Sequence, residues 1–212
     1  MKELGAILLF VTMMALVPWV TNSGVVLNFV TMALYATLIA QAWNLLGGFG
    51  GQFSFGHALF FGTGAYAQAI AQLQGGLNPW LALPLAVLAS AAVGVFVGGV
   101  SFRYGLKGSY FALVTLAFAE VFRIVALSVP FTGAGVGLMV PLKVGAANMQ
   151  FPSRAGYLYL VLALVMMGLL VTLWLRHSRF GACLQAVRDN EDAARAIGVN
   201  PFRVKLGAIA LS

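Results

Sequence analysis

Leu83–Val100 reads L-P-L-A-V-L-A-S-A-A-V-G-V-F-V-G-G-V, 18 residues without a charge. Polar and apolar residues do not alternate along it, as they must along a strand of a membrane β-barrel. Read as a helix, it has the length and greasiness of a membrane span, which takes about 20 apolar residues. The rest of the chain is of the same kind. Its 212 residues are 61% hydrophobic and 8% charged, with a mean hydropathy of +0.96. A soluble domain carries about 25% charged residues. Only helices and closed barrels satisfy their own backbone in hydrocarbon. With the barrel rejected, the fold class is all-α, a polytopic transmembrane helical bundle.

Six spans follow from the apolar runs: Leu4–Val20, Val25–Leu46, Gln52–Leu73, Trp80–Phe102, Ser109–Val129 and Tyr157–Leu175. A seventh run opens at Leu206 and is still open at Ser212. Residues 1–212 therefore read as one transmembrane domain with a polar loop at 176–205. With that loop in the cytoplasm, nine of the twelve Lys and Arg residues fall inside: Lys2, Arg103, Lys107, Arg176, Arg179, Arg188, Arg195, Arg203 and Lys205. Lys143 and Arg154 fall outside and Arg123 lies within a span. This is the asymmetry of the positive-inside rule, and it puts the N-terminus in the cytoplasm. The first span exceeds the 7–15 residues of a signal-peptide apolar region, and Thr21–Ser23 is a poor cleavage site.

Charge and motif content exclude several classes. The net charge of +7 is spread over span ends, without a basic face for nucleic acid. One cysteine, Cys183, allows no disulfide framework. His57 and His177 are the two histidines and neither has ligands at metal spacing, so no metal site is expected. No set of nucleophile, base and metal ligands lies in the spans, so no catalytic residue is expected. The glycines of the Pro130–Gly156 loop lack the Lys-Ser/Thr of a phosphate-binding loop; that loop is expected to be flexible and to meet an external partner.

Three places inside or beside the membrane stand out. Ala86, Ser90, Gly94 and Gly98 form a small-residue stripe that lets a helix approach closely, and packing within the chain is the expected use. Four glycines at Gly47–Gly51 interrupt the helix, followed by Gln52, Ser54 and His57. Irregular backbone at membrane depth needs protein or a water-filled cavity around it. Two readings stand there: a tight cytoplasmic turn, or a stretch of the translocation path. Glu120 and Arg123, three apart on one helix face, are expected to pair, because a lone charge at the bilayer centre costs about 2.5–3.5 kcal/mol. The pair serves either as a lock between helices or as part of the path.

The loop 176–205 holds six of the basic and three of the five acidic residues. Asp189 or Asn190 is a suitable N-cap for a helix from Glu191, and Glu191 and Arg195 pair at i,i+4. Gly198 fits the C′ position and Pro201 follows as a stop. Ala193, Ala194 and Ile197 make a small, smooth face. An upstream helix, Phe180–Arg188, is expected to pack beneath it through Leu184 and Val187. A helix of about eight residues is marginal alone, so it is expected to dock on a partner.

Asp192-Ala193-Ala194-x-x-x-Gly198 resembles the EAA-x-x-x-G loop of ABC importer permeases, with aspartate where that pattern has glutamate. Three blocks resemble the LivM-type permease family of branched-chain amino-acid importers: Asn44–Tyr66 (N-L-L-G-G-F-G-G-Q-F-S-F-G-H-A-L-F-F-G-T-G-A-Y), Gly105–Arg123 (G-L-K-G-S-Y-F-A-L-V-T-L-A-F-A-E-V-F-R) and Phe180–Gly198 (F-G-A-C-L-Q-A-V-R-D-N-E-D-A-A-R-A-I-G). The resemblance implies a type II-like ABC importer permease of the bacterial inner membrane, of which this chain is a fragment. It implies a second homologous permease, cytoplasmic ATP-binding subunits and a periplasmic substrate-binding protein as partners. ATP and Mg would be bound by the partner subunits, since the chain has no Walker motif. Arg188, Glu191, Asp192, Ala193, Ala194, Arg195 and Gly198 would form the ATPase-coupling element. Gln52, Ser54, His57, Glu120 and Arg123 are the candidate translocation path. Urea, amides or a sugar are the alternative cargo, and an ion-coupled carrier is the rival mechanism.

Overall fold

The computed structural model describes residues 2–21 and 23–212, with the side chain of Lys2 and the whole of Asn22 outside that description. Its described secondary structure is helical. The long elements are α1 (Lys2–Val20), α2 (Gly24–Asn44), α3 (Ala58–Leu73), α4 (Pro79–Arg103), α5 (Gly108–Ser128) and α6 (Arg154–His177). Three short helices follow: α7 (Arg179–Asp189), α8 (Glu191–Ala196) and α9 (Pro201–Leu211). Local chemistry sets several starts. Asn78 caps α4 by accepting from Trp80 N–H at 2.9 Å, with Pro79 at the first helical position. Ser178 caps α7 through Gly181 N–H, and Asn200 caps α9 through Arg203 N–H. Pro201, expected as a stop, begins α9, because a first-turn position has no use for the missing N–H.

Five helices are long and apolar enough to cross a membrane: α1, α2 with the turn that follows it, α4, α5 and α6. The span expected at Gln52–Leu73 is the exception. Its helix starts only at Ala58, and residues 51–57 run in non-helical backbone. Even so the segment joins opposite ends of the bundle. Gln74 Nε2 donates to Phe131 O beyond α5, while Gly48 O accepts from Arg188 on α7.

Two apolar cores hold the bundle. Leu27 and Leu34 of α2 pack with Leu158, Leu162 and Val165 of α6, and α1 lies against them. Leu46, Val97, Phe102, Phe111, Leu184 and Ile209 form the second core, joining α3, α4 and α5 to α7 and α9. The stripe on α4 is used within the chain. Ser90 Oγ donates to Phe60 O and Ala86 lies along Gly64 of α3, while Gly94 and Gly98 admit Ile209 of α9. The Pro130–Gly156 loop, expected to be flexible, is tied down. Trp80 Nε1 donates to Ala146 O at 2.9 Å and Asn78 Nδ2 to Ala147 O at 3.0 Å.

Candidate functional site

The loop helix α8 is built as its residues require, and it is shorter than expected. The Asn190 side chain accepts from Asp192 N–H at 3.1 Å and Ala193 N–H at 3.0 Å. At the other end Gly198 takes φ +90°, which only glycine adopts cheaply. Gly198 N–H bonds Arg195 O and Val199 N–H bonds Ala194 O, both at 3.0 Å, the paired bonds of a Schellman stop. The stop comes after six residues, Glu191–Ala196. Beneath α8, α7 buries Leu184 and Val187 as expected, and Gly181 admits the Leu175 carbonyl at the end of α6.

The small face splits in two. Ala194 is buried in the core, whereas Ala193 and Ile197 are exposed. Asp192 is 86% exposed and Glu191 only 15%. Glu191 does approach Arg195, at 3.5 Å, but its closer partners are Lys205 at 2.7 Å and Lys107 at 3.0 Å. Burial works to raise the Glu191 pKa, yet hydrogen bonds from Lys205 and Lys107 outweigh it and hold the carboxyl below its ordinary range. Lys205 is almost fully buried, with Nζ 5.7 Å from the Phe102 ring centre. These groups line a cleft of about 330 Å³ bordered by Phe102, Leu106, Lys107, Glu191, Arg195 and Lys205. Lys107 and Lys205 counted only as span-end charges in the sequence. Their meeting with Glu191 depends on residues far apart in the chain, and no local pattern announces it.

Arg188 keeps 42% of its side chain exposed but reaches across to the glycine turn. Its Nη1 donates to Gly48 O at 2.9 Å, and its stem occupies the space beside Gly51, where any side chain would collide with it. Gly51 also needs φ +64°. The glycine break is therefore a turn: one π-helical turn, Leu45–Phe49, then a reversal at Gly51, backed by α7 and by Ala208 of α9.

The chain then re-enters the bundle in extended form. Gln52 and Ser54 are buried, while Phe53 and Phe55 point out. The N–H groups of Phe55 and Gly56 both donate to Thr115 Oγ1, at 3.2 and 3.3 Å, and Trp43 Nε1 donates to Ser54 O at 2.9 Å. Thr115 lies seven residues into α5, roughly 10 Å along its axis at 1.5 Å per residue. Gln52 Oε1, Ser54 Oγ and His57 Nδ1 are buried without a hydrogen-bond partner among the described residues. The segment thus gathers three unpaired polar atoms within the bundle, where such atoms are costly.

Glu120 and Arg123 pair in the bidentate manner expected: Arg123 Nε to Oε2 at 2.9 Å and Nη2 to Oε1 at 2.6 Å. Both side chains are more than half exposed. The pair lies within α5 and faces outward, so among the described residues it ties α5 to no other helix. The same face carries Leu113, Leu116 and Leu127, also exposed. Among the described residues no hydrogen bond or ion pair joins the pair to Gln52, Ser54 or His57, while Thr115 on the same helix accepts from the Phe55 and Gly56 N–H groups.

Residues 25–212 match the family described as branched-chain amino acid transport system / permease component. The chain belongs to this family. The permease is 32% identical over 219 residues to the high-affinity branched-chain amino acid transport system permease protein LivM of Salmonella typhimurium, covering 92% of this chain and 51% of the relative. Against LivM of Escherichia coli the identity is 31% with the same coverage. The fructose import permease protein FruF of Bifidobacterium longum is 26% identical over 149 residues, covering 70% of this permease and 41% of FruF. The chain spans about half the length of the LivM relatives it matches. No solved structure matches it. Family and helices together make this permease an all-α, multi-pass membrane protein.

Proposed function

We propose that this chain is part of the membrane-spanning permease subunit of an ATP-driven ABC importer in the bacterial inner membrane, its N-terminus cytoplasmic. Its cargo is a branched-chain or related amino acid, delivered by a periplasmic binding protein. A second homologous permease completes the pathway, and cytoplasmic subunits bind ATP and Mg. The observation that carries the reading is α8: a capped helix with Asp192, Ala193 and Ile197 exposed on a buried base of Leu184, Val187 and Ala194, in a chain of this family. ATP-driven closure of the partner subunits would move α8, and the packed helices would follow as rigid bodies. The loop 176–205 is thus the coupling loop. Within it Asp192 and Ala193 meet the ATPase, Gly198 and Ala194 shape the helix, and Arg188 fixes its base.

Gln52, Ser54, His57, Glu120 and Arg123 form the proposed path. Unpaired buried polar atoms at a helix break suit a route for a polar cargo. An exposed ion pair in an apolar span is better placed in water or against protein than in hydrocarbon, and its two signs suit a zwitterion.

The test is co-purification of the full-length permease with its candidate ATPase, with and without residues 189–198. ATPase retained by the intact protein and lost on deletion supports the reading; a folded intact protein that retains none overturns it. A sugar importer is the second reading, favoured by the fructose permease relative. Competition of leucine, urea and ribose for uptake separates the cargoes.

A further inference from the structure

Glu191 and Asp192 are neighbours at the start of α8, but they face opposite ways. Asp192 projects from the molecule with 86% of its side chain exposed. Glu191 turns inward, and three elements meet on its carboxylate. Oε2 accepts from Lys205 Nζ of α9 at 2.7 Å and lies 3.0 Å from Nζ of Lys107, which precedes α5; α8 itself supplies the glutamate. The Lys205 side chain is 5% exposed, and its charge has Glu191 as its close anion. A buried ammonium left without a counter-ion is strongly unfavourable. The carboxylate is therefore held in place from the α9 side as firmly as it holds α8.

The rest of α8 is tied more weakly. Ala194 gives a one-carbon contact to the core, and Arg195 makes a long, exposed contact within α8 itself. Removing the Glu191 charge leaves α8 with no ion pair to α5 or α9 among the described residues. Lys107 is the residue just before α5, joined to it through Gly108, and the Glu120–Arg123 pair lies about 20 Å farther on at 1.5 Å per residue of helix. A helix is stiff over that length, so a pull on Lys107 that reaches the first turn of α5 would be carried along the helix to the pair.

We propose that Glu191 is a positioning residue that passes the displacement of α8 to α5 through Lys107 and to α9 through Lys205, leaving Asp192 and the exposed face of α8 to meet the ATPase. The proposal rests on the importer reading above. It gives the two acidic residues at the start of α8 separate roles, Asp192 gripping the partner and Glu191 gripping the bundle.

The experiment uses the full-length permease assembled with its partner subunits in proteoliposomes. Three quantities are read for each variant: ATPase retained on purification, ATP hydrolysed, and leucine taken up per ATP. The variants are Glu191→Gln, Glu191→Asp, and Glu191→Met combined with Lys205→Met. The double variant removes both charges at matched size, so that no unpaired buried ammonium confounds the result. Glu191→Gln and the double variant are expected to retain the ATPase and to hydrolyse ATP. Their uptake per ATP falls about tenfold, within the usual range of coupling between sites. Glu191→Asp, which keeps the charge, recovers part of the loss. Wild-type uptake per ATP in both charge-removing variants overturns the strut and leaves the importer reading intact. Loss of the ATPase from folded Glu191→Gln protein also overturns it, by making Glu191 a docking contact. Wild-type protein that retains no ATPase overturns the importer reading and the strut together.

Discussion

Gly56→Ala is expected to damage the fold well beyond what one methyl group suggests. Gly56 packs directly against the Thr115 carbonyl, and a Cβ there would lie far inside van der Waals contact with backbone atoms of α5. Thr115 is 1% exposed and sits mid-helix, so α5 cannot yield locally. Overpacking of this kind costs about 1–3 kcal/mol. The relief available is for residues 51–57 to back away from α5. That stretches the Phe55 and Gly56 N–H bonds to Thr115 Oγ1, already at 3.2 and 3.3 Å. Each is worth about 0.5–1.5 kcal/mol, so the loss is about 1–3 kcal/mol whether it is met as overpacking or as two lost bonds. The assay is unfolding of the full-length permease in lipid nanodiscs, followed by fluorescence of Trp43, which donates to Ser54 O in this segment, in a background where the other tryptophans are replaced by Phe. Thr115→Val removes the shared acceptor and Thr115→Ser retains it, so valine is expected to be destabilising and serine mild. Gly56→Ala added to Thr115→Val should cost less than the sum, because the two act on the same bonds. A Gly56→Ala protein within about 0.5 kcal/mol of wild type, the range of ordinary surface substitutions, would refute the close approach of this segment to α5.

Asn190→Ala removes the cap from Asp192 and Ala193 N–H and should loosen α8 by about 0.5–2 kcal/mol, read as faster amide exchange over residues 191–199 with the spans unchanged. Gly51→Ala must adopt φ +64° and displace Arg188; it should cost at least about 1–2 kcal/mol and lower the melting point. Gly198→Trp should leave membrane insertion intact and abolish uptake; normal uptake in that variant counts against the coupling loop. Acidification tests the Glu191 cluster, where Lys107, Lys205 and Arg195 face the carboxyl. Its folded pKa is lowered, so its stabilisation is complete above the unfolded value of about 4.3 and is lost as pH falls through the lower folded value. Amide exchange of α8, corrected for intrinsic rate, should therefore be flat from neutral pH to about pH 5 and rise only in stronger acid. Loosening between pH 7 and 6 would contradict it.

What could be read from sequence was local. The apolar runs located α1, α2, α4, α5 and α6 to within a few residues, because length and hydropathy alone decide a span. Asn190, Gly198 and the i,i+3 spacing of Glu120 and Arg123 announced their contacts, since cap, stop and same-face pairs depend on neighbours in sequence. The extended segment was missed. Q-F-S-F-G-H over 52–57 alternates polar with aromatic, a period-two signal of extended backbone, but the surrounding apolar run absorbed it into a span. The outward aspect of Glu120–Arg123 and the meeting of Glu191 with Lys107 and Lys205 were not legible. Both depend on how distant helices pack, and no spacing encodes that.

The turn at Gly51 places the proposed path directly on the loop that would move. Arg188 of α7 bonds Gly48 O and fills the space beside Gly51, and Ala208 of α9 lies against Gly50. From Gly51 the chain runs through Gln52, Ser54 and His57 to the contact with Thr115 on α5. Fixed at one end by α7 and α9 and at the other by α5, this extended stretch has no helical hydrogen bonds of its own to resist shear. If α7 and α9 shift relative to α5, the strain falls there first. The outward aromatics Phe53 and Phe55 and the inward polar side chains would rotate together, because alternate residues of an extended chain face opposite sides. The non-helical backbone of residues 51–57 therefore lies between the proposed coupling loop and the polar groups of the proposed path.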